Sequence, residues 1–180
     1  MIGRKSLIIA LCCATGIGAL TAQLVFRSAK TPLTGELPSQ TALSTLLDHS
    51  FTDYNEKPFK LSQWSEKILV INFWATWCPP CREEMPSLHR LAKRWLERGL
   101  VVITVAVADD KQRVTNYLEG IGMPFAVIHD QDQTINQQWD AYAVPTTLIL
   151  DAHHRIRLRG LGAIDWDDPA IDQQLKAALN

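Results

Sequence analysis

Residues 68–74 and 100–107 are nearly unbroken apolar runs, Ile-Leu-Val-Ile-Asn-Phe-Trp and Leu-Val-Val-Ile-Thr-Val-Ala-Val. Runs of that length, rich in β-branched side chains, predict strands buried on both faces. Between them the period changes. Met85, Leu88, Leu91, Ala92, Trp95 and Leu96 recur at helical spacing, which predicts a helix over residues 79–98 with these side chains on its inner face. Pro79 suits the first helical position, whereas Pro86 falls inside and is expected to kink the helix. The pattern continues with a helix over 111–120, a third strand over 125–129 and a short helix over 134–142. Residues 146–150 and 155–161 read as an antiparallel hairpin turning at 151–154. A last helix begins at Asp167-Asp168-Pro169, with acids at its positive end, and runs to about Leu179. Upstream, residues 51–61 read as a short strand pair around a turn at 55–58. Strands alternating with helices, then a hairpin and a helix, imply an α/β domain with a mixed central sheet.

The N-terminus follows another pattern. Residues 6–26 carry no charge, a length that spans a bilayer as a helix, and Arg4-Lys5 precede them. The best cleavage motif, Leu20-Thr21-Ala22, is poor, which favours an uncleaved signal anchor over a removed signal peptide. Residues 1–5 are then a short flank, 27–45 a linker punctuated by Pro32, Gly35 and Pro38, and 46–180 the folded domain. The short flank places the domain outside the cytosol.

Composition adds little to the fold. The apolar and charged fractions, 47% and 21%, are those of a globular protein. Charge excludes one class of partner. Residues 31–180 hold 14 Lys and Arg against 19 Asp and Glu, with no basic patch for nucleic acid.

The chemistry sits at the first strand-to-helix junction. Trp77-Cys78-Pro79-Pro80-Cys81 puts two thiols three positions apart where a helix begins. A helix N-terminus favours a thiolate, and Cys-X-X-Cys there has a lowered thiol pKa and a partner close enough to form a disulfide. Zinc would need a second ligand pair. None is available: Cys12 and Cys13 lie in the apolar N-terminal segment, and the five histidines show no ligand or triad spacing and read as surface or loop residues. A purely structural bridge would close only a few residues and stabilise little. Redox chemistry is the reading that remains. Trp74 and Trp77 read first as packing residues, with Trp77 also shielding the sulfur pair. Glu84 reads either as a solvated first-turn acid or as part of the site.

The stretch Asn72-Phe-Trp-Ala-Thr-Trp-Cys-Pro-Pro-Cys-Arg-Glu-Glu-Met-Pro-Ser87, with Val144-Pro145-Thr146-Thr147 downstream, resembles the membrane-anchored thioredoxin-like proteins of the TlpA/ResA type. The resemblance covers roughly residues 46–180. It implies a thioredoxin-like fold: a central mixed sheet flanked by helices, a strand-helix insertion within residues 109–143, and an N-terminal transmembrane helix. It implies an extracytoplasmic thiol-disulfide oxidoreductase, mostly acting as a reductase, in some members serving cytochrome c maturation. No cofactor or metal is implied. The partners implied are protein disulfides, a membrane electron donor for re-reduction, and the membrane through residues 6–26. The corresponding location is the bacterial inner membrane, single-pass, with the domain on the periplasmic side. Residue by residue, Cys78 stands as the nucleophile and Cys81 as the resolving thiol. Pro145 stands as a cis-proline that turns the Val144 backbone toward an extended substrate. Glu84 matches an acid three residues after the second cysteine. Asn72 stands where cytoplasmic thioredoxins carry a buried Asp, which makes Glu84 the substitute proton acceptor.

Pro79 and Pro80 provide no N–H to the thiolate, and Glu83 and Glu84 add negative charge nearby. Moderate acidification of Cys78 follows, which favours a reductant. Two alternatives belong to other classes. A thiol peroxidase needs Pro-x-x-x-Thr-x-x-Cys, but here Thr76 is two before Cys78 and position 72 is Asn. A non-enzymatic metal chaperone or holdase would use the dithiol to hold Cu(I).

Overall fold

A computed structural model describes residues 33, 47, 49–52, 57–123 and 125–179. Five strands form the main sheet: β3 (Ile68–Trp74), β4 (Leu100–Val107), β5 (Ala126–Asp130), β6 (Thr146–Leu150) and β7 (Ile156–Leu161), in the order β5-β4-β3-β6-β7. The pairs β3–β4 and β4–β5 are parallel, while β3–β6 and β6–β7 are antiparallel. This is the mixed sheet expected from the alternation of elements. A separate two-stranded ladder joins β1 (Phe51–Thr52) to β2 (Pro58–Phe59). The helices among the described residues are α1 (Pro79–Arg94), α2 (Lys111–Gly120), α3 (Thr134–Gln138) and α4 (Pro169–Leu179), with 3-10 turns at Leu61–Trp64 and Leu96–Arg98.

Period-two alternation in β3 divides the core. Leu69, Ile71 and Phe73 pack with Phe51, Phe59, Leu61, Trp139 and Leu148 on one face. Val70 and Trp74 face the other way, against Met85, Leu88 and Leu91 of α1, Val114 and Leu118 of α2, and Ile171 and Leu175 of α4. Asn72 shares that second face by the same alternation, and so points toward α1. α2 and β5 fill the stretch expected to hold a strand-helix insertion, and β5 extends the sheet beyond β4.

Several boundaries differ from the sequence reading. α1 ends at Arg94 rather than Arg98; the chain tightens into a 3-10 turn at Leu96–Arg98 and stops at Gly99, φ +76°. Glycine alone takes that left-handed conformation without steric cost. The change of winding swings Leu96 off the inner face, and it is 65% exposed. Pro86 does lie inside α1, where its ring removes the N–H that would bond the Arg82 carbonyl. The Tyr117 hydroxyl of α2 donates to that carbonyl instead, at a long 3.5 Å. α3 stops at Gln138, not 142, because Trp139 turns into the core and Asp140 takes φ +53°. β5 runs one residue later than expected. Its last residue, Asp130, accepts the N–H groups of Ile135 and Asn136 at 3.0 and 2.8 Å and so starts α3.

Two histidines are not surface loop residues. His129 lies half-buried within β5. His154 is buried in the β6–β7 turn with its Nε2 3.2 Å from the Trp64 carbonyl.

Among the described residues no helix is long and apolar enough to cross a membrane. Residues 6–26, read as an anchor, lie outside the described residues. Leu33, within the stretch read as a linker, is buried in the core beside Gly160, so packing begins before residue 46.

Candidate active site

The end of β3 delivers the chain to the sulfur pair. Cys78 is the N-cap of α1, with extended backbone (φ −96°, ψ 104°), and its sulfur accepts the N–H of Cys81 at 3.3 Å. Pro79 and Pro80 occupy the first two helical positions, where a missing N–H is tolerated. Their cost is electrostatic. Two of the donors that a helix N-terminus normally turns toward an anion are absent, and Cys81 provides the remaining bond. Cys78 and Cys81 are joined as a disulfide, Cα–Cα 5.3 Å. Cys81 is completely buried and Cys78 nearly so, at 4%.

The loop before β6 closes over Cys78. The Val144–Pro145 peptide is cis, as the resemblance implied. The Val144 carbonyl oxygen lies 3.8 Å from Cys78 Sγ, a contact and not a hydrogen bond while the sulfur carries no proton. Gly162 N–H donates to the Pro145 carbonyl at 2.9 Å and the Thr146 hydroxyl donates to the Ala143 carbonyl at 2.6 Å, which fix the loop from both sides.

Glu84 is not a solvated acid. It is three residues beyond Cys81, on the same side of α1, and 3% exposed. Its Oε1 accepts the Asn72 amide at 2.8 Å and its Oε2 accepts the Ile164 N–H at 2.9 Å. Burial raises its pKa from 4.5 to about 7, against the opposing pull of those two donors. Asn72 also donates to the Thr147 hydroxyl at 2.9 Å, while its own carbonyl oxygen is buried without a partner.

Trp77 departs from the packing role expected of it. Trp74 is fully buried, but Trp77 is 54% exposed and its indole N–H donates to the Ala108 carbonyl at 3.2 Å.

A sequence profile of the AhpC/TSA family matches residues 42–159. The chain belongs to that family. The ResA thiol-disulfide oxidoreductase of Geobacillus kaustophilus strain HTA426 is 31% identical over 135 residues, covering 74% of this chain and 76% of that protein. The ResA protein of Geobacillus thermodenitrificans strain NG80-2 is 31% identical over 138 residues with the same two coverages. A solved thiol:disulfide interchange protein of the thioredoxin family from Chlorobium tepidum TLS superposes with a TM-score of 0.66 at 25% identity, covering 82% of this chain and 99% of that one. Within the AhpC/TSA family this chain is thus a ResA-like protein with a thioredoxin-like fold and protein-disulfide oxidoreductase activity.

One residue of this ResA-like site escaped the sequence reading. Asp109, buried just after β4, accepts both the backbone N–H and, at 3.0 Å, the hydroxyl of Thr76. It also accepts the N–H of Asp110 at 2.9 Å. It therefore ties the β4–α2 loop to the turn that presents Cys78. The only sequence signal was an Asp at the end of an apolar run, which is equally the mark of an ordinary helix cap; the next residue, Asp110, does cap α2 through the Arg113 N–H at 2.9 Å. Asp109→Ala should strand buried donors and cost about 2–4 kcal/mol, read as a lower urea midpoint at unchanged slope.

Proposed function

We propose that this protein reduces disulfides of extracytoplasmic proteins through the Cys78–Cys81 pair, as a membrane-anchored reductase that serves cytochrome c maturation. One observation carries the reading: a disulfide at a helix N-terminus beneath the Val144–Pro145 loop, with a buried, nearly neutral-pKa carboxyl one turn further along the same helix.

The steps follow from the two thiols. In the reduced protein the Cys78 thiolate attacks one sulfur of a substrate disulfide, forming a mixed disulfide and expelling the other substrate sulfur as thiolate. Cys81 gives its proton to Glu84 and attacks Cys78 Sγ. The second substrate thiol leaves, and the Cys78–Cys81 disulfide remains. Two electrons have passed to the substrate, and a membrane electron donor returns two to the protein. Val144 presents its backbone to the substrate, Pro145 holds that backbone in place, and Trp77 flanks the sulfur pair. Replacing Cys81 by Ala in cells should trap substrates on Cys78, and their identification would test the assignment to cytochrome c maturation. Recovery of no apocytochrome or haem-handling protein among them would remove that part.

The direction rests on Pro79 and Pro80. With one amide on the Cys78 sulfur instead of several, the thiolate is stabilised modestly, and the potential should lie nearer about −270 mV than about −120 mV. Pro80→His should add a donor, lower the Cys78 pKa and raise the potential. Equilibration against glutathione, followed by tryptophan fluorescence, measures both. A wild-type value near −120 mV would recast the protein as a disulfide donor.

Thr76 weighs against the peroxidase alternative, since Asp109 occupies both its N–H and its hydroxyl and leaves neither to seat a peroxide. Insulin reduction without peroxide consumption is the expected pair of results. Anchoring rests on the uncharged residues 6–26. The full chain should remain with membranes through a high-salt wash; a soluble protein beginning near Gln23 would show that the segment is removed.

A further inference from the structure

Five large apolar side chains are exposed among the described residues: Trp77, Leu96, Ile121, Tyr142 and Leu161. Leu96 and Ile121 follow the C-terminal ends of α1 and α2, away from the sulfur pair. The other three border it. Trp77 precedes Cys78. Tyr142 lies two residues before Val144, whose carbonyl touches Cys78 Sγ. Leu161 is the register partner of Thr146, next to Pro145. Apolar exposure is thus gathered at the end of the sheet where the chemistry occurs.

Tyr142 is the most exposed of these, at 72%, and yet it is held. Its hydroxyl donates to Asp140 Oδ1 at 3.0 Å. The Asp140 carbonyl accepts the guanidinium of Arg159 from β7, and the next residue, Ala141, is buried and donates its N–H to the Asn136 carbonyl at 2.7 Å. A ring fixed by its own loop loses little entropy on contact, which is the property of a binding anchor.

The backbone beside it says what kind of partner fits. Val144 takes no part in the β6 ladders, which begin at Thr146, so its peptide groups are placed to pair with an extended chain. The chain bends over residues 143–145 before β6 begins, and Tyr142 stands at the start of that bend, within a few residues' reach of a substrate residue paired at Val144.

We infer that Tyr142 selects substrate segments that carry a bulky apolar side chain within about three residues of the reacting cysteine. The inference rests on the reductase reading and names its substrate class. Tyr142 is a specificity residue in it, not a catalytic one.

The test uses the full-length protein, kept reduced with dithiothreitol, and two disulfide-linked peptides that differ only at the positions within about three residues of the cysteine, Leu in one and Ser in the other. Wild type should favour the Leu peptide by about tenfold in kcat/KM, mostly through KM. Tyr142→Ala should reduce that preference to within about twofold, while Tyr142→Phe, which keeps the ring, should retain most of it. No preference in wild type, an undiminished preference in Tyr142→Ala, or a loss carried by kcat at constant KM would each overturn the assignment. Failure of wild type to reduce either peptide would instead overturn the reductase reading itself.

Discussion

Cys78→Ser should abolish disulfide reduction, while Cys81→Ser should still attack substrate once and then stop as a stable mixed disulfide. The asymmetry follows from position. Cys78 Sγ sits at the helix N-terminus facing the Val144 loop, and Cys81 lies behind it with no exposure. The loss should exceed a thousandfold in turnover, because hydroxyl oxygen forms no exchangeable bond with sulfur and no other thiol in the domain can replace either partner. Non-reducing electrophoresis with a disulfide-bonded protein substrate distinguishes the two variants: a covalent adduct for Cys81→Ser, none for Cys78→Ser. Full turnover in either would end the two-thiol mechanism.

The second large effect belongs to Glu84. Thiol–disulfide exchange needs Cys81 as thiolate, and in the proposed mechanism Glu84, three residues further along α1 with a pKa of about 7, accepts its proton near neutral pH. Glu84→Gln should slow resolution of the mixed disulfide by about a hundredfold, a usual size for a lost general base. The inflection near pH 7 should vanish with it. Stability should respond as well. The folded-state pKa is raised above the unfolded 4.5, so this contribution is fully present below pH 4.5 and is lost as pH rises through 7. At 1.4 kcal/mol per pH unit the loss approaches about 3 kcal/mol, and urea midpoints measured from pH 5 to 8 should fall in wild type and stay flatter in Glu84→Gln. An unchanged rate with the same inflection would return Glu84 to a purely structural role.

The sequence alone determined most of the elements and the identity of the reacting atoms. β3, β4, α2 and β6 fall where their apolar patterns placed them. Long runs buried on both faces leave no competing period, and Cys-X-X-Cys after such a strand has few other uses. Helix ends were harder to read. The stop of α1 depends on Gly99 in a left-handed conformation, and the stop of α3 on Trp139 turning into the core. Neither is visible in a hydrophobic period, since each is a bargain between local winding and distant packing.

What only tertiary structure decided is the electrostatic setting. Glu84 looks like any first-turn acid until β3 brings Asn72, and the loop after β7 brings Ile164, to cover it from 12 and 80 residues away. Its pKa is a property of that burial. Asp109 acquires its hold on Thr76 across 33 residues, and Trp77, grouped by composition with Trp74, lands on the opposite side of the boundary between core and solvent. Side-chain type fixes which reactions are possible, and local period fixes which segments wind or extend. The local dielectric and the partners of a buried group come from chains remote in sequence, and these set the proton affinities on which the redox step depends.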